Sequence, residues 1–311
     1  MLGGAWALIP PMFRDAIIFA ALLSMLSTSL TLTYMTTKVP NFAHGNFATI
    51  GIYMTLLLAK VLKLNVYFTL IPSLIVGGVV ALILYLFVLK PLMDRGANYI
   101  TLMIATIAYD MILFSFLNIF ADYLTRTFKI PARLFILKSL DFRVMGQPGL
   151  FIIAPLLAVI SVISFYLLLN KTKFGIAMRA AIENPSLASV VGINVNLTYA
   201  VSWFISGGLA GLAGALTPLL ITCDTNTGMT LIVHIFAASI VGGLTNIYGA
   251  FFGGLLIGLA ERLGTGYLSL QVGTWIIAYR SIIPLAFMVV TLLFAPKGLT
   301  SIPWKKILRR R

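Results

Sequence analysis

The side chains that could do chemistry are few and widely spaced. Two histidines (His44, His234), one cysteine (Cys223) and eight Asp or Glu residues are what the 311 residues offer for acid–base, nucleophilic or metal chemistry. A single cysteine excludes an internal disulfide, and two histidines argue against a His-rich metal centre. No G-x-x-x-x-G-K-[ST] run occurs, so the chain carries no P-loop of its own. An intramembrane enzyme would need a Ser-His pair, paired Asp residues or a metal set, and only scattered single candidates exist. No catalytic residue, metal ligand or cofactor is therefore assigned.

Four local patterns remain. Asn41-Phe42-Ala43-His44-Gly45 follows Lys38-Val39-Pro40 and opens an apolar run. Pro40 blocks continuation of the preceding helix. Asn41 can cap the new one, whose first amides then point at whatever lies beyond. Broken helices in transporters aim such ends at substrate groups, whereas the plainer reading is a surface cap with an interfacial His44. Asp110 is the second pattern, a carboxylate in the middle of an apolar run. At a bilayer centre it costs at least about 2.5–3.5 kcal/mol, so it must face protein or water with a partner. It reads as a site for a substrate ammonium or as a paired or protonated structural group. Third, Gly242-Gly243, with Gly249, permits a sharp turn that either packs two helices or bends the lining of a pore.

The fourth pattern is a polar loop, residues 170–196, containing Arg179, Glu183, Asn184, Pro185, Leu187, Val190 and Gly192. Asn184 suits an N-cap, Pro185 the first helical position, and Gly192 the left-handed residue that ends a helix. The two turns between them put Leu187, Val190 and Val191 on one face. A helix this short is not stable alone in water, so its stripe needs a surface: its own membrane domain, or a partner into which it inserts as a knob.

The elements that position these residues follow from composition. Apolar residues make up 60% of the chain and charged residues 10%, where a soluble domain needs about a quarter charged. The fold class is all-α: a polytopic helical membrane protein with about 8–10 transmembrane helices. Spans read at about 15–37, 41–59, 66–89, 98–121, 148–170, 197–220, 229–245, 248–265 and 277–296. The short ones at 41–59 and 229–245 read as re-entrant or broken helices. Small residues four apart (Gly207 and Gly211, Ala210 and Gly214, Gly249 and Gly253, Gly254 and Gly258) predict close helix packing. The first apolar run is too long, and its flank too poor in basic residues, for a cleavable signal. Glu261-Arg262 and Arg280 are placed near span ends, where they would snorkel or pair.

The net charge is +14, which in a membrane chain points to headgroups and partner proteins rather than to nucleic acid. Lys297, Lys305, Lys306, Arg309, Arg310 and Arg311 follow the last span, which predicts a cytoplasmic C-terminus and a cytoplasmic loop at 170–196. Five further basic residues, Arg126, Lys129, Arg133, Lys138 and Arg143, fall on the side predicted to be outside. With Phe128, Phe135 and Phe142 they suggest a lateral helix on that surface.

The 179–194 loop resembles the coupling segment of ABC importer permeases, in the form found in branched-chain amino acid transporters. The Asn41–Gly45 run is similar to one that opens the second span of that family, and Gly242-Gly243 with Gly249-Ala250 and Gly253-Gly254 is similar to its C-terminal glycine run. The start of the chain resembles the H-type subunit rather than the M-type. The chain departs from the family pattern at Phe47, after Asn46, and at Asp110. The resemblance implies one permease domain over residues 1–311 of a multi-pass cell-membrane protein. It also implies cytoplasmic ATP-binding subunits docked on Arg179–Gly192, a second permease (an M-type paralogue or another copy), and an extracytoplasmic substrate-binding protein. Asn41, His44, Gly45, Asp110, Gly242 and Gly243 then belong to the pathway or its gate. The implied substrates are branched-chain or related hydrophobic amino acids, with urea, other small amides or polar amino acids as the alternative. A stand-alone secondary transporter or channel would need paired mid-span charges, which the sequence nearly lacks.

Overall fold

The computed structural model describes residues 10–301; the predicted C-terminal basic cluster from Lys305 to Arg311, and the N-terminal stretch through Ile9, lie outside the described residues. The helices are α1 (Pro11–Thr37), α2 (His44–Lys60), α3 (Leu70–Ile83), α4 (Lys90–Asp94), α5 (Tyr99–Phe128), α6 (Leu150–Lys171), α7 (Lys173–Glu183), α8 (Pro185–Val190), α9 (Val195–Leu216), α10 (Thr227–Gly242), α11 (Ile247–Val272) and α12 (Ile282–Phe294). Among the described residues, six segments are long and apolar enough to cross a membrane: Pro11–Thr37, Val66–Asp94, Tyr99–Phe128, Leu150–Lys171, Val195–Leu219 and Ile247–Val272. Each of the nine spans read from the sequence corresponds to one of these or to α2, α10 or α12. The last three have 17, 16 and 13 residues. At 1.5 Å per residue they measure about 20–26 Å, short of the ~30 Å hydrocarbon core.

α1 is the central element: 94% of its most apolar window is buried, against 22% for α5. Its buried surface includes Ser24, Ser27, Thr28, Ser29, Thr31, Thr33, Thr36 and Thr37. Most of these hydroxyls donate back to carbonyls three or four residues earlier, as Ser24 does to Ala21 (2.7 Å) and Thr33 to Leu30 (2.8 Å). That disposes of the donor without water. Others cross between helices. Ser27 donates to the Ala250 carbonyl (2.8 Å), Ser206 to the Ser29 carbonyl (2.6 Å) and Ser239 to the Ser27 carbonyl (3.1 Å). Short polar side chains thus bind α9, α10 and α11 to α1, where longer apolar ones would hold the backbones apart.

The small-residue spacings are contact faces. Gly207 and Gly211 lie against Gly77 and Ser73 of α3, and Gly214 against Ala48 of α2. Gly249 and Gly253 meet α10 at Gly242 and Ala238, while Gly254 and Gly258 meet α1 at Ser24 and Ala20. A Cβ at any of Gly207, Gly211, Gly214, Gly249, Gly253, Gly254 and Gly258 would overlap neighbouring backbone or side-chain atoms.

One end of the bundle carries α7 and α8. Thr36–Lys38, Met93, Ala97–Tyr99, Ile182, Pro185 and Tyr199 line one cleft there. Asn170 donates to the Tyr248 hydroxyl (3.0 Å) and Thr300 to the Gly242 carbonyl (2.9 Å), which brings the α6, α10, α11 and α12 termini to the same end.

The segment 122–147 does not form the expected lateral helix. α5 runs on to Phe128, and the chain then extends, with one short turn at Lys138–Leu140 and a two-stranded ribbon, β1 (Arg143–Val144) with β2 (Gln147–Pro148). Phe135 pairs by backbone with Cys223, and the Leu137 amide donates to the Pro218 carbonyl (2.8 Å). Ala132, Phe135 and Leu137 are buried. Alternating burial makes this stretch a cap over the α9–α10 connection. Of its basic residues, Arg133 is held by Asp122 (2.7 Å) and Asn118 (2.9 Å).

Candidate functional site

The Asn41–Asn46 turn lies inside the bundle. Asn41 is fully buried, but it does not cap α2 as expected: its Oδ1 accepts from the Ala43 amide (3.1 Å), closing a turn before the helix begins. Ala43 takes the cap position and contributes no side-chain bond. The chain passes Pro40 beside Thr106 of α5, whose Oγ1 accepts from the Phe42 amide (3.3 Å) and gives its own proton to the Met103 carbonyl (2.8 Å). The helix therefore starts against the wall of α5, not at a water interface.

His44, the first residue of α2, is fully buried, and its Nε2 lies 2.9 Å from Ser29 Oγ of α1. The Ser29 hydroxyl gives its one proton to the Leu26 carbonyl (2.8 Å), so Nε2–H donates to Ser29. Nδ1 is then an acceptor, and it has no hydrogen-bond partner among the described residues. The ring also meets Phe47 edge-on. Gly45 faces Gly228 of α10 so closely that a Cβ would strike the Gly228 carbonyl.

Asp110 has a partner from the same turn. Asn46 Nδ2 donates to Asp110 Oδ1 (2.7 Å) and to the Asp110 carbonyl (3.2 Å). Asp110 stands near the middle of the 30-residue α5 and is half-buried. The sequence departs from the expected pattern at Phe47 and at Asp110, and in the fold Asp110 meets Asn46, the residue before Phe47. Asn46, Thr106, Ser29 and Gly228 complete the constellation. Asn46 was legible as a polar residue inside an apolar run; nothing in the local sequence singled out the other three.

Gly242 and Gly243 are elsewhere, at the α7–α8 end. Gly242 packs on Gly249 and Ala250, and Gly243 adopts φ +111, a value that L side chains rarely reach. The turn is held by Asn246, whose Oδ1 accepts from the Tyr248 and Gly249 amides (3.0 and 3.3 Å) and starts α11.

The loop at 170–196 holds two helices where the sequence suggested one. Thr172 caps α7 through the Gly175 amide (3.0 Å), and Met178 and Ala181 bury against the bundle. Tyr199 of α9 donates to the Ala181 carbonyl (3.1 Å). Asn184 Oδ1 then accepts from the Leu187 amide (3.0 Å) to start α8, and Gly192 closes it at φ +85. Only Ala188 of α8 is buried. Leu187 is 61% exposed and Val190 82%, with Val191 exposed beside them. Arg179 and Glu183 are exposed on α7. An apolar stripe thus sits on a capped, anchored helix with nothing in the described chain to cover it.

A second polar cluster joins Glu261 and Arg280, expected from the sequence to snorkel or pair near span ends, to His234, which the sequence did not connect with them. Glu261 does not lie near a span end. α11 continues to Val272, and Glu261 is 1% exposed, with Oε2 3.3 Å from His234 Nε2 and Oε1 4.0 Å from Arg280 Nε. The Arg262 guanidinium lies over the Phe19 ring, 4.1 Å from its centroid. Among the described residues, no group of three or more metal-ligating side chains occurs.

Residues 12–292 match the family described as the permease component of branched-chain amino acid transport systems. The chain is 45% identical to a probable branched-chain amino acid transport permease, LivH, of Methanocaldococcus jannaschii, covering 95% of this chain and 94% of that one. It is 25% identical to the high-affinity branched-chain amino acid transport permease LivH of Escherichia coli K12, covering 90% and 91%. Its fold is similar to that in the structure of PsaBC from Streptococcus pneumoniae in complex with Fab, with a TM-score of 0.52 at 12% identity and 93% coverage of each chain. With a family match spanning nearly the whole bundle, this multi-pass helical membrane protein belongs to the family of permease components of branched-chain amino acid transport systems.

Proposed function

We propose that the chain is the membrane-spanning permease of an ABC importer for branched-chain or related hydrophobic amino acids, with residues 1–311 forming one permease domain. The observation that carries this reading is the exposed Leu187–Val190–Val191 stripe on α8. A two-turn helix exposes such a stripe at a cost that a docked partner removes. ATP is bound and hydrolysed by separate cytoplasmic subunits that grip Arg179–Gly192, so the α7–α8 end and the C-terminus face the cytoplasm. The permease itself performs no chemistry. The opposite face receives substrate from an extracytoplasmic binding protein.

Asn41, His44, Gly45 and Asp110 form the pathway or its gate. The support is geometric: a helix begins inside the bundle, contacts α1, α5 and α10 within one turn, and leaves buried polar atoms at His44 Nδ1 and Asn46 Oδ1 unpaired. Gly242 and Gly243 serve as a bend at the cytoplasmic end of α10. The pathway is completed by a second permease, an M-type paralogue or another copy. The largely unburied apolar surface of α5 and α6 suits such a partner or lipid. Purification with the candidate ATPase subunits and substrate-stimulated ATP hydrolysis in liposomes test the reading. Failure to bind any ATPase, with no crosslink from cysteines placed at 185–191, would overturn it.

A further inference from the structure

α3 and α9 touch backbone to backbone where Gly207 and Gly211 lie against Gly77 and Ser73. Toward the α7–α8 end they part. Tyr85 is buried there, stacked on Trp203 and edge-on to Tyr199, and rings of that size hold the two backbones away from each other. The gap is a cleft of about 510 Å³ whose lining includes Leu82, Leu86, Lys90, Asn194, Asn196 and Phe204. The Phe204 ring lies against Gly78 of α3, where a Cβ would collide with it. Phe204 is also a wall of a second cavity, of about 300 Å³, among α1, α3, α6 and α9.

The cleft is polar at one end and apolar at the other. Lys90 is half-buried, and its ammonium makes no ion pair among the described residues. Asn194 spends its Oδ1 on the Leu197 amide (2.9 Å), which leaves its side-chain nitrogen as a donor, and Asn196 is exposed close by. Leu82, Leu86 and Phe204 offer only carbon. From Asn194 to Phe204 the helix rises about 15 Å, half of the ~30 Å hydrocarbon core. The backbone also brings the charge into line with the apolar stripe. Leu84–Leu89 form a π-turn, which carries one residue more than the α-helical path. In an uninterrupted α-helix Lys90 would stand about 80° round the axis from Leu82, and the extra residue brings it back to within about 20°.

We propose that this cleft binds one anionic phospholipid from the leaflet on the α7–α8 side, with its phosphate on Lys90 and the two asparagine amides and an acyl chain lying between α3 and α9 as far as Phe204. A water-soluble anion would leave the apolar walls uncovered, and a wholly apolar occupant would leave the ammonium unpaired; a phospholipid satisfies both ends. The site touches the docking region, because Asn194 caps α9 just after Gly192 closes α8. The inference requires only that the bundle lies in a bilayer, whichever substrate or ATPase it serves.

The test uses full-length permease in phosphatidylcholine nanodiscs that contain a minor share of phosphatidylglycerol with a photoreactive diazirine in one acyl chain. Labelled peptides are mapped by mass spectrometry. The expected label is concentrated on 82–90 and 194–204. Lys90→Gln lowers it about fivefold, the weight of one lysine at a membrane surface. Lys90→Arg keeps it, and Lys63→Gln, at an exposed position outside the cleft, leaves it unchanged. Val201→Trp fills the cleft and removes it. The same diazirine on phosphatidylcholine labels the cleft weakly and ignores Lys90→Gln. Label spread over the helices in proportion to their exposure overturns the proposal, as does cleft label indifferent to both headgroup and Lys90. So does a cleft shielded from label when two permeases are assembled, which would make it a protein interface. If Lys90→Gln does not assemble, the headgroup comparison and Val201→Trp decide the matter.

Discussion

Docking through α8 makes a quantitative prediction for the double variant Leu187→Ala/Val190→Ala. Leu→Ala removes three carbons and Val→Ala two, each worth about 0.8 kcal/mol on full burial. Scaled by the exposures of 61% and 82% that docking would remove, the losses are about 1.5 and about 1.3 kcal/mol. Together they weaken ATPase binding by roughly 100-fold, less if the two sites couple. Neither side chain packs in the isolated permease, so its own unfolding midpoint should stay within the scatter of surface substitutions. The assay is affinity of purified ATPase subunits for nanodisc-embedded permease, run beside thermal unfolding of the permease alone. A loss below about threefold, or a comparable loss of permease stability, refutes the reasoning: the stripe would then be packed on the permease itself or idle.

Three further outcomes follow from the buried polar turn and the helix contacts. His44→Ala should reduce uptake without lowering the amount of permease in the membrane, measured by transport and quantitative blotting of the same vesicles; unchanged uptake removes His44 from the pathway. Asn46→Ala leaves the Asp110 carboxylate without its 2.7 Å donor and should cost about 1–3 kcal/mol of stability, and a double-mutant cycle with Asp110→Asn should recover a large part of it. Gly51→Val places a side chain against the Gly211 carbonyl and should abolish stable insertion, read as loss of monodisperse protein on size exclusion.

The features legible in the sequence are those that one segment determines. Asn184, Pro185 and Gly192 encode a cap, a first turn and a stop within nine residues, and α8 follows them closely. The glycine spacings foretold contact faces because a backbone approach needs small residues on the same side of one helix. Pro40 marked where the first helix stops, and α2 begins four residues later at His44. What was not legible depends on partners far along the chain. Asn46 and Asp110 lie 64 residues apart, and no local pattern says that α5 passes the first turn of α2. Glu261 was misplaced for a related reason. A Glu-Arg pair breaks an apolar run and resembles the end of a span, and only the contacts with His234 and Arg280 show why a charge can sit inside α11. The cap formed by residues 129–149 was mistaken for a helix because its basic and aromatic side chains were read by composition. Its alternating burial exists only against the α9–α10 connection.

The most direct test of the account is ATP hydrolysis by the purified permease–ATPase complex in liposomes, with and without a branched-chain amino acid and its binding protein. The account predicts hydrolysis that rises when substrate-loaded binding protein is added, accompanied by uptake, and that is lost with Leu187→Ala/Val190→Ala. Uptake by the permease alone without ATP, or an ATPase that is bound yet indifferent to the α8 substitutions, would contradict it.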